Sequence, residues 1–396
     1  MPIPDQYLPN NATDTLQLAN MAASFGNAGI DLILVSPSTA DKPVTLQAMT
    51  AHYDIAPSFR VALFGARKSA PPYLRGVEKL RFAWRAARSA RTLNADALYT
   101  RNLPMVLAGL FLSRLPVFYE TYRPWPKQSL LKRLLFRGLE RVPRFAGLIL
   151  HSAFAAESYI ALGYTEERIL VARNAVDFRH FVDAPSRDIA RARVGLSAGE
   201  RVLATYAGTV SLAKGLGLIL DAAAQLPHLD FALVGSTGVG AVEQRAAALP
   251  NMRIVPRVGQ AETAMWLAAS DILIVPPSSH ALEVGGNTVL PIKVFSYLAS
   301  GRAIVAGATP DFGEILTDGV NAKLVTPDNA PALIEALREL AGDQQLRARF
   351  SEAARETMHA NDWNARALHI QDFMAARLES YAPNTRAKTM STALKW

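Results

Sequence analysis

The segment GGNTVLPIKVFSYLASGRAIVAG, Gly285 to Gly307, limits what this chain can fold into more than any other stretch. It reads as a glycine-rich loop, a helix, a glycine stop and a buried strand. Pro291 suits a first helical turn, where its missing N–H costs nothing, and Gly301 suits the helix end. The free N–H groups of such a helix start, with the dipole behind them, favour a bound phosphate. Lys293 sits in that first turn, where a cation by itself is unfavourable for the dipole. A lysine there makes better sense beside an anion. The plainer alternative is an ordinary αβ unit with a solvated lysine.

The residues before it repeat the pattern. VLATYAGTVSLAKGLG (202–217) reads as a strand, a loop from Gly208, and Lys214-Gly215 ahead of a helix running to about Gln225. The next strand, FALVGSTGVG, ends in Gly235, Gly238 and Gly240. An apolar helix with Trp266 and a short strand in DILIVPPS follow. Strands alternating with helices, with glycine loops after the strands, predict an open parallel sheet that binds ligand at the strand ends. There is no GxGxxG, and Gly235 to Gly240 has the wrong spacing for that dinucleotide fingerprint. No GxxxxGK[ST] occurs, which argues against a P-loop NTPase. Asp311-Phe312-Gly313 matches the kinase tripeptide with no kinase context around it.

From roughly Leu16 to Phe373, and most strongly between Ser152 and Gly307, the chain resembles the retaining GT-B glycosyltransferases, in particular glycosyltransferase family 4. Its segments come in that family's order. HSAFAAESYIALGY is followed by RILVARNAVDFRHF, similar to an asparagine–glycine–valine–aspartate motif, here Asn174-Ala175-Val176-Asp177 with Phe181. Then come the YxG…KG segment (Tyr206, Gly208, Lys214, Gly215), the LVG strand end, ASDILIVPPS and a PxKxFxYxAxG block. DWNARALHI around Trp363 resembles the family's last segment.

The resemblance implies an α/β GT-B protein: two Rossmann-like, doubly wound parallel-sheet domains facing across a cleft. The expected division is an acceptor-side domain over 1–180 and a nucleotide-sugar-binding domain over 181–362. A helix over 363–381 would cross back to the first domain, and a basic tail over 382–396 would be disordered. Strands are expected at DLILVSP, ALYTR, PVFYE and GLILHS, and a helix over Thr15 to Gly29. The strand that normally opens this fold is at most a fragment in Met1 to Gln6.

The resemblance also assigns sites. Gly208, Thr209, Lys214, Gly235, Gly285, Gly286, Asn287, Lys293 and Ser296 fall where the family holds its donor, and Glu283 is either close enough in sequence to compensate for the glutamate missing at Ser296 or a solvated loop carboxylate. Fixed cations and helix N–H groups there can take up the negative charge that grows on a departing diphosphate, without a metal. No cofactor is implied beyond a nucleotide-sugar co-substrate. The first domain's VFYETYRPW resembles a tyrosine–glutamate–x–histidine motif and nominates Glu120 and Tyr122 as catalytic residues. Three positions depart from the pattern. Thr209 replaces a frequent arginine, and Ser296 a glutamate that binds ribose hydroxyls. Tyr122 stands in place of histidine and is a poor base near neutral pH. A retaining reaction tolerates that last loss, because the leaving phosphate can accept the acceptor's proton. The alternatives are a catalytically degenerate nucleotide-sugar-binding subunit of the same fold and, more remotely, a GT-B epimerase.

Composition agrees with a large enzyme. A chain of 396 residues is too long for one ordinary core. No run is long and apolar enough to span a bilayer, and the polar first 20 residues carry no secretion signal. With no cysteine there is no disulfide framework, compatible with a cytoplasmic protein. Seven scattered histidines and no acidic pair give no reason to propose a metal. The charge is uneven: residues 1–180 carry 22 Lys+Arg and 13 Asp+Glu, so the remainder is close to neutral. The excess gathers in Arg75–Arg91 and Lys127–Arg144, the second interleaved with leucines as in an interfacial helix. Two readings stay open: attraction to an anionic membrane or lipid-linked acceptor at the inner face, or leucines facing the core beneath solvated arginines. Neither stretch lies in a nucleic-acid-binding motif.

Overall fold

The computed structural model describes residues 8–10, 13–38, 45–56, 58–65, 75–197, 199, 201–279, 290–358 and 361–393. The chain forms two compact units. One comprises Met1–His151, Ala155–Arg173 and Trp363–Trp396; the other comprises Ser152–Phe154 and Asn174–Asp362.

The first unit holds two parallel sheets. β1 (Ile33–Ser38) pairs with β2 (Arg60–Gly65). β3 (Leu98–Thr100), β4 (Val117–Thr121), β5 (Phe145–Leu150) and β6 (Ile169–Val171) follow in that spatial order. The expected strands are β1, β3, β4 and β5. β2 and β6 are additions, short apolar runs whose period does not separate strand from helix. Every residue of β4 and β5 is buried, as in a parallel sheet covered on both faces. Residues 1–6, the expected opening fragment, lie outside the described residues.

The helix Trp363–Ala393 packs on this unit. The Phe373 ring meets Phe118 edge-on, with centroids 6.1 Å apart. A Cβ on Gly147 would lie 2.7 Å from that ring, so only glycine lets the helix lie this close to β5. The helix continues through residues expected to form a disordered tail. Residues 385–393 contain neither glycine nor proline, and an established helix extends at one bond per residue; Pro383 removes only one donor.

The second unit is built on one six-stranded parallel sheet in the order β12-β11-β10-β7-β8-β9. Its strands are β7 (Leu203–Ala207), β8 (Asp230–Ser236), β9 (Met252–Pro256), β10 (Ile272–Ile274), β11 (Ala303–Gly307) and β12 (Lys323–Val325). The chain runs outward from β7 to β9, then returns to lay β10 on the other side of β7. That is the doubly wound arrangement, and its reversal lies between β7 and β10. Side chains alternate between faces. Ala204, Ile272 and Val305 join the core under helices Leu216–Gln225 and Ala330–Gly342, while Leu203, Leu273 and Ile304 join that under Gln260–Ala269 and Ile292–Ser300.

The division falls at Arg173/Asn174, earlier than the expected 180/181. The intervening residues belong to the second unit because the Val176 N–H bonds to the Asn361 carbonyl at 3.2 Å, and Phe178 and Phe181 pack in its core. No described helix is long and apolar enough to cross a membrane.

Candidate functional site

The reversal between β7 and β10 is where the second unit brings its predicted residues together. After β7 the chain needs a left-handed turn, and Gly208 (φ +146°) provides it. A Cβ there would lie 2.6 Å from the Lys293 Nζ and 3.0 Å from the Tyr206 hydroxyl. Gly235, at the end of β8, has φ +118°, and its Cβ would fall 2.3 Å from the Gly208 carbonyl oxygen. Two backbone turns and one ammonium thus share a space that no side chain could enter. Gly215, also left-handed at φ +75°, ends a short turn over Leu212–Lys214; its Cβ would meet Ser278 beyond β10 at 2.5 Å.

The helix Ile292–Ser300 opens onto the same place. Pro291 is its N-cap in extended conformation, one position before the first helical residue. It therefore lies just outside the first turn, a small correction to the sequence expectation. Among the described residues, no side chain caps this helix start. The buried Asn174 fixes its approach, donating from Nδ2 to the Leu290 carbonyl at 3.1 Å. That gives a physical role to the first residue of the Asn174–Asp177 motif.

Lys293 in the first turn lays its ammonium 3.8 Å from the centroid of the Tyr206 ring. The Tyr206 hydroxyl donates to the Thr209 carbonyl at 2.9 Å, tying that ring to the turn. Burial, reinforced by the like charge of Lys214, lowers the Lys293 ammonium to a pKa of about 7. Lys214 itself is exposed, and Ser296 is half-buried one turn along the helix. Among the described residues, no carboxylate forms an ion pair with either lysine. Glu283, Gly285, Gly286 and Asn287 lie outside the described residues.

The neighbouring glycine loop is already occupied. The Glu243 carboxylate accepts from the Gly240 N–H at 3.0 Å and from the Ser236 hydroxyl at 2.6 Å, a bond that lowers its pKa. A carboxylate capping this helix start takes the place an anion would need. The loop after β7, not the one after β8, is the open one.

In the first unit, Glu120 is 1% exposed and fully committed. It accepts from the Tyr99 hydroxyl, from His151 Nε2 at 2.6 Å and from Arg366 Nη2 at 2.8 Å, with Arg101 Nε at 4.0 Å. Burial alone would raise its pKa, but Arg366, then Arg101 and His151, hold it well below the usual carboxylate range. Burial pushes the His151 imidazole down to about 4 against the opposing pull of Glu120. The ring is therefore neutral near pH 7 and donates its Nε2 proton to the carboxylate. Arg366 also donates from Nε to the Arg173 carbonyl at 2.8 Å and from Nη2 to that of Ala172 at 3.2 Å.

Both Glu120 oxygens thus accept hydrogen bonds within the first unit, Oε2 from Tyr99 and Oε1 from His151 and Arg366. Tyr122, two residues on, is half-buried, with Arg123 Nε donating to its hydroxyl at 3.2 Å. The motif reasoning missed Arg366, Tyr99, Arg101 and His151 as partners. Arg366 lies inside the DWNARALHI segment, but its partner is 246 residues away, and no local pattern joins them.

A family profile described as "Glycosyltransferase Family 4" matches residues 16–180, and one described as "Glycosyl transferases group 1" matches 201–343. The chain belongs to the GT-B glycosyltransferases of the family 4 type. Among curated relatives of this glycosyltransferase is the phosphatidyl-myo-inositol mannosyltransferase of Mycolicibacterium smegmatis, 27% identical over 202 residues. That match spans 50% of this chain and 49% of the relative. The D-inositol 3-phosphate glycosyltransferase of Streptomyces coelicolor is 26% identical over 219 residues, 51% of this chain and 46% of that one. The chain thus matches about half the length of these relatives. Solved structures resemble it over nearly all its length at low identity and so speak for the fold. Sucrose-phosphate synthase from Thermosynechococcus elongatus has a TM-score of 0.75 at 16% identity, covering 93% of this chain and 94% of that one. Anabaena HepE in complex with UDP-glucose has a TM-score of 0.69 at 17% identity, covering 94% and 98%.

Proposed function

We propose that this glycosyltransferase moves a sugar from a nucleotide-sugar donor to a glycan or lipid-linked acceptor, with retention and without a metal. The observation that carries the reading is the pair Lys293 and Lys214 beside an uncapped helix start and the side-chain-free turn at Gly208. Two lysines with no carboxylate partner among the described residues, at the reversal point of a parallel sheet, suit a diphosphate. As the glycosidic bond breaks, negative charge grows on the leaving phosphate. Preoriented ammonium and N–H donors stabilise that charge without reorganising. The related structure solved with UDP-glucose supports a donor of this class. Retention is supported chemically, because it needs no strong protein base and Glu120 is unavailable as one.

The acceptor side is read from the first unit. On the helix Leu130–Glu140, Phe136 and Leu139 are buried while Leu130, Leu131 and Leu134 are exposed. Arg133 and Arg137 are exposed on the same helix. Apolar side chains among cations fit a peripheral contact with an anionic membrane that carries the acceptor.

Thermal unfolding with UDP-, GDP-, ADP- and CDP-sugars tests the donor reading. Ligand at a hundred times its dissociation constant stabilises by about 2.7 kcal/mol, and Lys293→Ala removes the shift. No shift with any of the four would overturn it. The single hydroxyl of Ser296 keeps a second reading alive, a subunit that binds donor without turnover. Binding with no sugar transfer or donor hydrolysis would select it.

A further inference from the structure

We propose that the second unit takes up its donor diphosphate together with one proton, and that Lys293 is the group that captures it. This deepens the proposed donor reading and rests on it.

The argument begins with what surrounds the Lys293 amine. Beneath it is the Tyr206 ring, at 3.8 Å, and beside it is Gly208, with no room even for a methyl group. Lys214 faces it from the turn after β7 and carries the same charge. On its own helix the nearest titratable neighbour is Tyr297, whose buried hydroxyl is held by the Ala207 N–H at 2.7 Å. The amine also lies in a first helical turn, where the dipole opposes a cation. Among the described residues no carboxylate balances any of this.

A half-buried amine packed on an aromatic ring, with a cationic neighbour and no described counter-ion, lowers its free energy by giving up its proton. Without a donor, burial and the like charge of Lys214 therefore hold the Lys293 ammonium at a pKa of about 7. A diphosphate diester opposes both with a counter-charge. It adds negative charge beside the amine and offers oxygens that accept three N–H bonds from an ammonium. The step is a simple protonation: Lys293 –NH2 takes H+ from solvent and becomes –NH3+ as the donor binds, with no bond to the donor broken. Lys214, exposed, supplies the first attraction. The site thus binds tightly only when it can recruit a proton, and donor affinity weakens as the pH rises past neutrality.

Calorimetric titration reads this directly. Each of UDP-, GDP-, ADP- and CDP-glucose is titrated into the full chain in two buffers of different ionisation enthalpy, from pH 6 to pH 8. The phosphodiester groups of these donors do not titrate in that range, so any proton exchanged belongs to the protein. The expected result is an uptake close to one proton per donor at pH 8 and close to none at pH 6, following a midpoint of about 7. Affinity should fall up to tenfold per pH unit above that midpoint. Lys214→Gln removes the like charge, so the uptake curve moves to higher pH. Lys293→Arg keeps a permanent cation, so its residual binding shows no uptake. Binding with no uptake at any pH overturns this inference and leaves the donor reading intact. Uptake that persists in Lys293→Arg also overturns it. Failure of all four donors to bind overturns both.

Discussion

The two units each bury ionisable groups away from their usual pKa, and they do it for opposite ends. Around Glu120 one carboxylate meets Arg366, Arg101, His151 and Tyr99, and both of its oxygens accept hydrogen bonds inside the protein. Around Lys293 a cation meets a second lysine, an aromatic ring and the positive end of a helix, and nothing in its described surroundings answers it. Both groups are perturbed, so perturbation alone does not mark a binding site. What separates them is the nearest opposite charge. A buried ion paired at contact distance contributes to the fold, whereas one with no described counter-ion costs the fold something that a ligand of opposite charge can return.

The largest expected effect breaks the first cluster. Arg366→Ala leaves Glu120 buried without its main partner and should destabilise by about 3–5 kcal/mol, as broken buried pairs do. Chemical denaturation checks this, and a cost below about 1 kcal/mol would show that the cluster is not closed. Lys293→Met should behave in the opposite way. The empty protein should be as stable as the parent or more so, because an uncompensated buried cation is gone. Donor binding should weaken by about 1.5–3 kcal/mol, the worth of a charged hydrogen bond, measured by the ligand-induced shift in melting temperature. Equal loss of stability in both variants would erase the distinction between the units.

Gly208→Ala tests the shape of the open site. It forces a side chain into φ +146° and against the Lys293 Nζ, and should cost about 1–3 kcal/mol along with donor binding. The pH dependence of stability separates the two regions by window. Between about pH 6.5 and 4 the unfolded chain binds a proton at His151 that the native state refuses. Stability is therefore lost as the pH falls through that range. Between about 7 and 10.5 the unfolded chain likewise holds a proton that native Lys293 has released, so stability rises with pH there. Saturating donor should flatten the second window and leave the first alone. A melting series with and without donor shows whether it does. Smallest in stability is Leu134→Asp, an exposed change expected to stay within about 0.5 kcal/mol. Its effect should appear as weaker sedimentation with anionic vesicles and none with neutral ones.

How much of this was legible varies by residue. Gly208, Lys214 and Lys293 could be read because each lies beside a strand end or helix start that marks itself locally, by glycine, proline and apolar run. Glu120 could be read from its motif as catalytic or as a buried carboxylate with a neighbouring donor, but its partners, assembled from β3, the end of β5 and the C-terminal helix, could not be named from the sequence. The exposure of Leu130, Leu131 and Leu134 was one of two open readings, since a short leucine–arginine pattern has the same period whichever face is covered.

By itself, then, the sequence determined the parallel-sheet fold and the glycine turns and helix start that gather at its reversal point. Strand period, glycine turns and helix punctuation act over a few residues and survive in the linear pattern. Only the tertiary structure decided which charges are answered. Coulombic balance and desolvation depend on groups brought within a few ångströms from distant parts of the chain, as Glu120 and Arg366 are across 246 residues. The same sum leaves Lys293 beside Lys214 with no described counter-ion, and it is this residual charge that marks the open site.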